Sequence, residues 1–205
     1  NCTWDTSGKV VGFYNVTMLS NKTNYNDGFA NSTFYLSSAP VLSNINVVPN
    51  SGGWGVPFYN YTVYVSDDDG DTVNVYLLLK NETSGWIAVK NKTCTNCNNT
   101  QLSFTYNYTK DEIGTWWFMF NASDEHQNIG VSANSSHFVD KDVITIKLYE
   151  GNNSNVNRSN LQPGNTVRLS VFINDLDAQK NTTEISLSNV HTYICLLYTS
   201  PSPRD

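Results

Sequence analysis

Hydrophobic and polar residues alternate with a period of two in several short stretches of the chain. The clearest stretches are NYTVYVSD, VNVYLLLK, LSFTYNYT, TWWFMFNAS and TVRLSVFIND. They are rich in β-branched and aromatic residues and are bounded by Gly, Asn, Asp or Pro, which is typical of β-strands. No stretch shows the 3.6-residue period of an amphipathic helix. The pattern therefore predicts an all-β protein.

Seven of the predicted strands follow one another in the middle of the chain. Turn residues separate them, and seven short strands of this kind fit two packed sheets with Greek-key connections, as in an immunoglobulin-like sandwich. In the order A, B, C, C′ or D, E, F and G, they are predicted at 42–48, 59–66, 73–80, 85–91, 102–109, 115–122 and 131–139.

Internal repeats predict that this sandwich is one of several. The segment ANSTFYL at 30–36 resembles ANSSHFV at 133–139, and VYVSDDD at 63–69 resembles VFINDLD at 171–177. Both offsets are close to one hundred residues, the size of one immunoglobulin-like domain. The fold class is therefore predicted as tandem immunoglobulin-like Greek-key β-sandwiches, truncated at both ends. We expect the last two strands of a preceding domain at 1–40, a complete domain at 41–140 and the first strands of a following domain at 143–194.

The last eleven residues, CLLYTSPSPRD at 195–205, differ in character from the rest of the chain. They match the in-frame translation of an adapter used in transposase-based sequencing libraries, as in metagenomic DNA. We interpret 195–205 as an adapter-derived artefact and expect it to lack packed structure. On this interpretation, the natural protein extends beyond both ends of the present sequence.

Asparagine occurs unusually often before Ser or Thr in the N-x-S/T pattern that accepts N-linked glycans. The 29 asparagines and 41 serines and threonines in 205 positions would produce about six such sequons by chance. The chain has fourteen, which predicts a glycoprotein that is extracellular or on the cell surface. The acceptors are Asn1, Asn15, Asn21, Asn31, Asn60, Asn81, Asn91, Asn98, Asn107, Asn121, Asn134, Asn152, Asn157 and Asn181.

The sequons also test the strand assignments, because a glycan cannot lie in a core. Neighbouring strand residues point to opposite faces of a sheet. If Asn60, Asn107 and Asn121 face outward, the apolar residues at alternating positions of the same strands must face inward. We therefore expect burial of Val63, Phe104 and Phe118.

Charge and hydropathy exclude several partners. The net charge is −6 and charged residues make up 15% of the chain, whereas nucleic-acid binding requires clustered Lys and Arg. No apolar run reaches the roughly 18 residues of a membrane-spanning helix. We expect no nucleic-acid partner and no membrane span, and leave other surface proteins or glycans as candidate partners.

No catalytic motif is recognisable, so we predict that the chain is not an enzyme. His126, His137 and His191 are far apart in sequence, and none accompanies a nucleophile motif. Trp54, Trp86 and Trp117 could form a flat surface for stacking sugars, although ordinary packing explains them as well.

The CTNC segment admits a zinc half-site, a redox motif or a small disulfide. A second ligand pair for zinc and the βαβ context of a redox motif are both missing from the sequence. In an oxidising compartment we favour a disulfide between Cys94 and Cys97.

Acidic residues cluster in predicted turns and offer the most plausible binding chemistry. Calcium takes six to eight oxygen ligands, often from clustered carboxylates, although Asp and Gly also simply form turns. One cluster combines the turn after strand B with the turn after strand F, and consists of Asp67, Asp69, Asp71 and Asp124.

The strand endings VSDDDGD and FNASDEHQN, with a period near one hundred residues, resemble tandem cadherin-like and PKD-like surface repeats. Archaeal surface proteins often carry such repeats with many sequons. Cadherin-like repeats bind calcium at domain junctions, through an Asp-x-Asp after strand B, an acidic pair between strands E and F, and a linker. This resemblance implies calcium ligands, and no other cofactor, at Asp111, Glu112, Asp140, Asp142, Asp175 and Asp177.

The predicted function is that of a non-catalytic extracellular or cell-surface protein with a structural or adhesive role. The alternative is a carbohydrate-binding or accessory module of a larger secreted enzyme.

Overall fold

The structure, a computed structural model, describes residues 3–150, 170–178 and 180–181. The chain divides into two compact units, Asn1–Asp142 and Val143–Asp205. The described residues form strands and turns and no helix, so the prediction of an all-β, immunoglobulin-like sandwich is confirmed. Among these residues, there is no helix whose length and apolarity would let it cross a membrane.

The described residues form eleven strands in the first unit and three in the second. In the first unit they are β1 (Gly12–Ser20), β2 (Gly28–Leu36), β3 (Val41–Val48), β4 (Ser51–Gly53), β5 (Tyr59–Ser66), β6 (Thr72–Lys80), β7 (Ile87–Thr95), β8 (Thr100–Tyr106), β9 (Gly114–Ser123), β10 (Ile129–Val131) and β11 (Ser135–Asp140). In the second unit they are β12 (Ile144–Glu150), β13 (Ser170–Asp175) and β14 (Lys180–Asn181).

Two sheets form the sandwich of the first unit. One has the order β3-β5-β8, and the other has the order β4-β11-β9-β6-β7, with β10 also paired to β9. All pairs are antiparallel except β4 with β11. Because β7 pairs with β6, the strand assigned to C′ or D from the sequence is C′. Chain neighbours in opposite sheets, such as β5 and β6, give the Greek-key connections.

The strand bounds follow the hydrophobic pattern closely where it is strong. Strand β5 has the predicted bounds, β6 extends one residue beyond them at its start, and β9 extends one residue beyond them at each end. Strand β8 runs from Thr100 to Tyr106 rather than over 102–109, and just beyond its end the side-chain amide of Asn107 donates to the carbonyl of Pro57. The three-residue strands β4 and β10 were not predicted, since they are too short to show an alternating pattern.

The inward faces of the two sheets form one core. Strand β5 along its whole length, and strand β9 from Thr115 onward, alternate strictly between buried and partly buried residues. Tyr61 meets Phe118 edge to face across the sheets, with ring centroids 5.1 Å apart. Each fully buried side chain of this size contributes about 1.5–3 kcal/mol through the hydrophobic effect. The largest fully buried side chains are Tyr59, Tyr61, Phe104, Phe118, Phe120, Leu77, Leu79, Val63, Val65, Val73, Val75 and Val139.

The sequon positions agree with these faces. Val63, Phe104 and Phe118 are buried, while the neighbouring Asn60, Asn107 and Asn121 point away from the core, so the strand-face prediction is confirmed.

Not every acceptor is open to solvent, however. Seven of the ten sequon asparagines between 3 and 150 are exposed, and Asn60, Asn81 and Asn121 are partly buried. The other predicted acceptors, Asn1, Asn152 and Asn157, lie outside the described residues, as does the side chain of Asn181. The predicted artefact at 195–205 also lies outside them.

The β1–β2 hairpin contrasts with the sandwich because none of its described apolar side chains is buried and several are exposed. The two strands pair antiparallel from Gly12 opposite Leu36 to Ser20 opposite Gly28. Phe13 and Leu19 are 83% and 79% exposed. A two-stranded ribbon has no second layer against which to bury a face. The prediction that 1–40 belongs to a preceding domain stays a prediction.

The second unit contains a three-stranded sheet in the order β12-β13-β14. Ile144 lies opposite Asp175, and a β-bulge interrupts the β12–β13 pairing between Leu148 and Glu150. Within the predicted domain at 143–194, the structure describes little more than these strands and the turn that follows β13.

Candidate functional site

Two connections and the segment leading into β3 lie at one end of the sandwich. The β5–β6 loop (67–71) and the turn after β9 (124–128) meet there because β6 and β9 pair antiparallel, with Asn74 opposite Ser123. The segment 37–40 leads into β3 at the same end, since Val41 lies opposite Ser66. We call this region the loop end; its topology agrees with the expected Greek-key arrangement.

Carboxylates from two of these loops converge at the loop end. One ligand atom from each of Asp67, Asp71 and Asp124 lies within 4.8 Å of the others. A second group, Asp69, Asp71 and His126, meets the same distance limit and shares Asp71. The sequence placed all four aspartates in one acidic cluster; His126 was missed as a member, although it stands two residues after Asp124.

The local backbone explains how the β5–β6 loop presents its aspartates. Gly70 has a φ of 75°, and a Cβ at this position would lie 2.8 Å from Oδ1 of Asn96. Glycine adopts this left-handed conformation without strain and leaves room for the Asn96 side chain. The Asp67 amide donates to the carbonyl of Cys97 at 2.8 Å, which fastens the start of the loop to the β7–β8 turn.

Asp124 and Asp69 have clear hydrogen-bond donors. Asp124 accepts from the backbone amide and the side-chain amide of Asn128, each at 2.8 Å. Asp69 accepts from the backbone amide of Ser38 at 2.9 Å and from its hydroxyl at 3.2 Å. These carboxylates therefore hold the turn after β9 and the segment leading into β3.

Asp67 differs from Asp124 and Asp69 because its carboxylate accepts no hydrogen bond. Its side chain is buried, and neither Oδ1 nor Oδ2 has a hydrogen-bond partner; the same holds for Oδ1 of Asp71. Burial, reinforced by the neighbouring Asp71 carboxylate, raises the pKa of Asp67 to about 7. In the described part of the chain, no lysine or arginine forms an ion pair with these groups.

His126 occupies the outer side of the cluster. Its Nδ1 lies 2.9 Å from Oδ2 of Asp71, and its side chain is 40% exposed. Its ring also stacks on Tyr35, with centroids 4.6 Å apart and planes 18° from parallel. The imidazole therefore covers the cluster and contacts the end of β2.

The calcium ligands implied by the cadherin-like resemblance have separate local roles. Glu112 accepts from the backbone amide of Thr109, and Asp142 accepts from the amide of Gly55. Asp140 accepts from the amide of Lys141. Within the described residues, neither these three nor Asp111 joins a group of three potential ligands within 4.8 Å.

Asp175 and Asp177 belong to the second unit, where they also accept from backbone amides. Asp175 bonds the amide of Ala178 at 2.9 Å, and Asp177 bonds that of Val143 at 2.5 Å. The predicted calcium site at a domain junction stays a prediction.

The remaining candidates from the sequence are structural where the structure describes them. A disulfide joins Cys94 and Cys97, and Cys97 is buried against the core. His137 lies inside the core, where Nε2 is 3.0 Å from the hydroxyls of both Tyr61 and Tyr108. His191 lies outside the described residues.

The tryptophans proposed for sugar stacking do not form a ring-stacked group among the described residues. Trp54 and Trp117 are partly buried, and Trp86 lies at the surface with Nζ of Lys80 6.0 Å from its ring centroid. These positions fit ordinary packing and coverage of the sheet rim.

The described residues thus form an immunoglobulin-like β-sandwich module with an acidic loop end. No family model matches the chain, and no curated protein matches it. Among solved structures, it is similar to one described as "PKD domain of M14-like peptidase from Thermoplasmatales archaeon SCGC AB-540-F20". The TM-score is 0.38 and the identity is 19%, over 51% of this chain and 99% of that chain.

Proposed function

We propose that the chain is part of a non-catalytic extracellular or cell-surface protein in which glycosylated immunoglobulin-like repeats serve a structural or adhesive role. The position of the sequons carries this proposal. None of the ten sequon asparagines between 3 and 150 lies in the core, and seven are exposed. Fourteen sequons exceed the roughly six expected by chance, and N-glycosylated sequons are typical of surface positions in secreted proteins.

The sandwich also supports a structural role for glycans. Exposed strand edges can pair with other chains, and bulky polar groups beside them prevent this. Asn91 lies in β7, which is the edge strand of its sheet, and Asn134 lies immediately before β11. Glycans at such positions would shield the sheet from association.

Glycopeptide mass spectrometry of native material tests the proposal. We expect glycans on most sequons, with the exposed Asn91, Asn107 and Asn134 occupied. Asn121 should be the least occupied described site, because it is partly buried and its Oδ1 is enclosed. Non-sequon asparagines such as Asn74 serve as unmodified controls. Bare asparagines at the exposed sequons would contradict the proposal.

A binding assay separates the structural role from the alternative of an accessory module. The full chain should show no retention on insoluble polysaccharides such as cellulose or chitin. Retention that is lost when Trp86 is changed to Ala would instead favour a carbohydrate-binding module.

A further inference from the structure

We propose that Asp67, Asp71 and Asp124 form a binding site for one divalent, oxygen-preferring cation of the calcium type at the loop end of the sandwich. This site lies within one sandwich and uses different residues from the domain-junction site implied by the cadherin-like resemblance. It is independent of the proposed glycosylation.

The first observation is the convergence of three carboxylates from two connections. Asp67 and Asp71 flank the β5–β6 loop, and Asp124 directly follows β9. Ligand atoms from all three lie within 4.8 Å of one another. The antiparallel pairing of β6 with β9 sets this arrangement, so it does not depend on a single loop.

The second observation is independent of the clustering itself. The Asp67 side chain is 8% exposed, and both of its carboxylate oxygens lack a hydrogen-bond partner. Oδ1 of Asp71 is buried without a partner as well. A buried charge is strongly destabilising unless it is paired with another group or coordinates a metal. Three enclosed carboxylate oxygens without donors therefore point to a missing positive charge.

The ligand atoms identify the class of cation. Carboxylate oxygens are hard ligands, and calcium takes six to eight oxygens at 2.3–2.6 Å in flexible geometry. Magnesium requires a near-ideal octahedron and retains several waters, so a site of enclosed carboxylates suits it less well. Zinc prefers nitrogen and sulfur ligands. The imidazole of His126 is on the exposed side of the cluster and bonds Asp71 Oδ2 rather than its unpartnered Oδ1.

The cation would have a structural consequence for the segment that leads into β3. Asp69, in the same loop, holds the amide and hydroxyl of Ser38, and Asn128 donates its side-chain amide to Ser37 at 2.9 Å. Asn128 is itself held by Asp124. A cation that fixes Asp67, Asp71 and Asp124 would therefore also fix the contacts that hold residues 37 and 38.

Isothermal titration of the full chain with calcium chloride, after removal of metals with EDTA, tests the proposal. We expect one calcium ion per chain at neutral pH. Calcium at 100 times its Kd should raise the melting temperature by about 5–10 °C for a protein of this size. Magnesium at equal concentration should give a smaller shift. Asp67→Asn should remove calcium binding and the calcium-dependent shift.

Two further variants make the result decisive. Asp111→Asn changes an exposed acid outside the loop end and should keep the full calcium shift. Asp71→Asn should lose the shift, and it replaces Asp67→Asn if that variant does not fold by circular dichroism. The proposal is overturned if the wild-type chain binds no calcium, or if the foldable loop-end variant keeps the wild-type shift. Loss of the shift in Asp111→Asn alone would equally overturn it.

Discussion

Tyr61, Tyr108 and His137 lie in the middle of the sandwich core, whereas Asp67, Asp71 and Asp124 lie at its loop end. Both groups are polar and largely removed from water. In the core group, the two tyrosine hydroxyls are 2.6 Å apart, and each is 3.0 Å from Nε2 of His137. In the loop-end group, the Asp67 carboxylate has no donor at all.

The difference lies in the chemistry of the side chains. Hydroxyls can both donate and accept, and a neutral imidazole offers one of each, so the core group is satisfied within itself apart from Nδ1 of His137. Ionised carboxylates only accept, and like charges repel one another. A cluster of carboxylates therefore needs a proton or a cation from outside, whereas the aromatic group needs only to stay neutral.

The largest predicted effect is that the folded protein loses stability at acid pH because of the core group. Burial lowers the pKa of His137 to about 4, while that of an unfolded histidine is about 6.5. The unfolded chain therefore binds the proton first as the pH falls. Stability should decrease from about pH 6.5 to about pH 4, by about 3 kcal/mol in total.

Urea unfolding of the wild type and of His137→Gln across this pH range measures the effect. Other titrating groups cancel in the difference between the two free energies of unfolding, and this difference should shrink as the pH falls. A difference independent of pH would mean that the imidazole is not held neutral by burial.

The second prediction removes one hydroxyl from the core group. Tyr108→Phe leaves the Tyr61 hydroxyl and His137 with one partner fewer in a buried site, and should cost about 1–3 kcal/mol in the free energy of unfolding. Tyr64→Phe, on the outer face of β5, is the matched control and should change stability by less than about 0.5 kcal/mol. Equal effects of the two variants in chemical denaturation would contradict a satisfied core group.

The third prediction concerns the loop end without cations and has the opposite sign. Asp67→Asn replaces a carboxylate by an amide that can donate to Asp71 or Asp124 and removes one of several like charges. In EDTA at neutral pH, we expect this variant to be more stable than the wild type by on the order of 1 kcal/mol. Thermal unfolding in EDTA provides the measurement, and a clear loss of stability would show that the cluster is not under charge repulsion.

The smallest predicted effect distinguishes the two acidic groups at the loop end. His126 is partly exposed and pairs with Asp71 near the surface, so His126→Ala should change stability by less than about 0.5 kcal/mol. The calcium-dependent increase in melting temperature should remain. Its disappearance would place the cation beside Asp69, Asp71 and His126 instead of Asp67 and Asp124.

The sequence by itself determined the strands and their inward faces. Strict alternation in β5 and β9 left only one way to bury Tyr61, Val63 and Phe118, and the sequons selected that face without reference to hydrophobicity. Side chains of a strand alternate between faces whatever lies next to it, so this information is local. Hence the all-β sandwich could be predicted, whereas β4 and β10 could not, because three residues do not define a period.

Only the tertiary structure decided which of the predicted acidic clusters brings its carboxylates together. Asp67 and Asp124 stand 57 positions apart, and the same sequence reasoning favoured Asp111 and Glu112 with Asp140 and Asp142. The pairing of β6 with β9 brings Asp67, Asp71 and Asp124 together, and the depth of the loop end leaves Asp67 without a donor. Burial and hydrogen bonding depend on the packing of distant segments, so a local pattern of aspartates cannot distinguish a turn that faces solvent from an enclosed site that lacks positive charge.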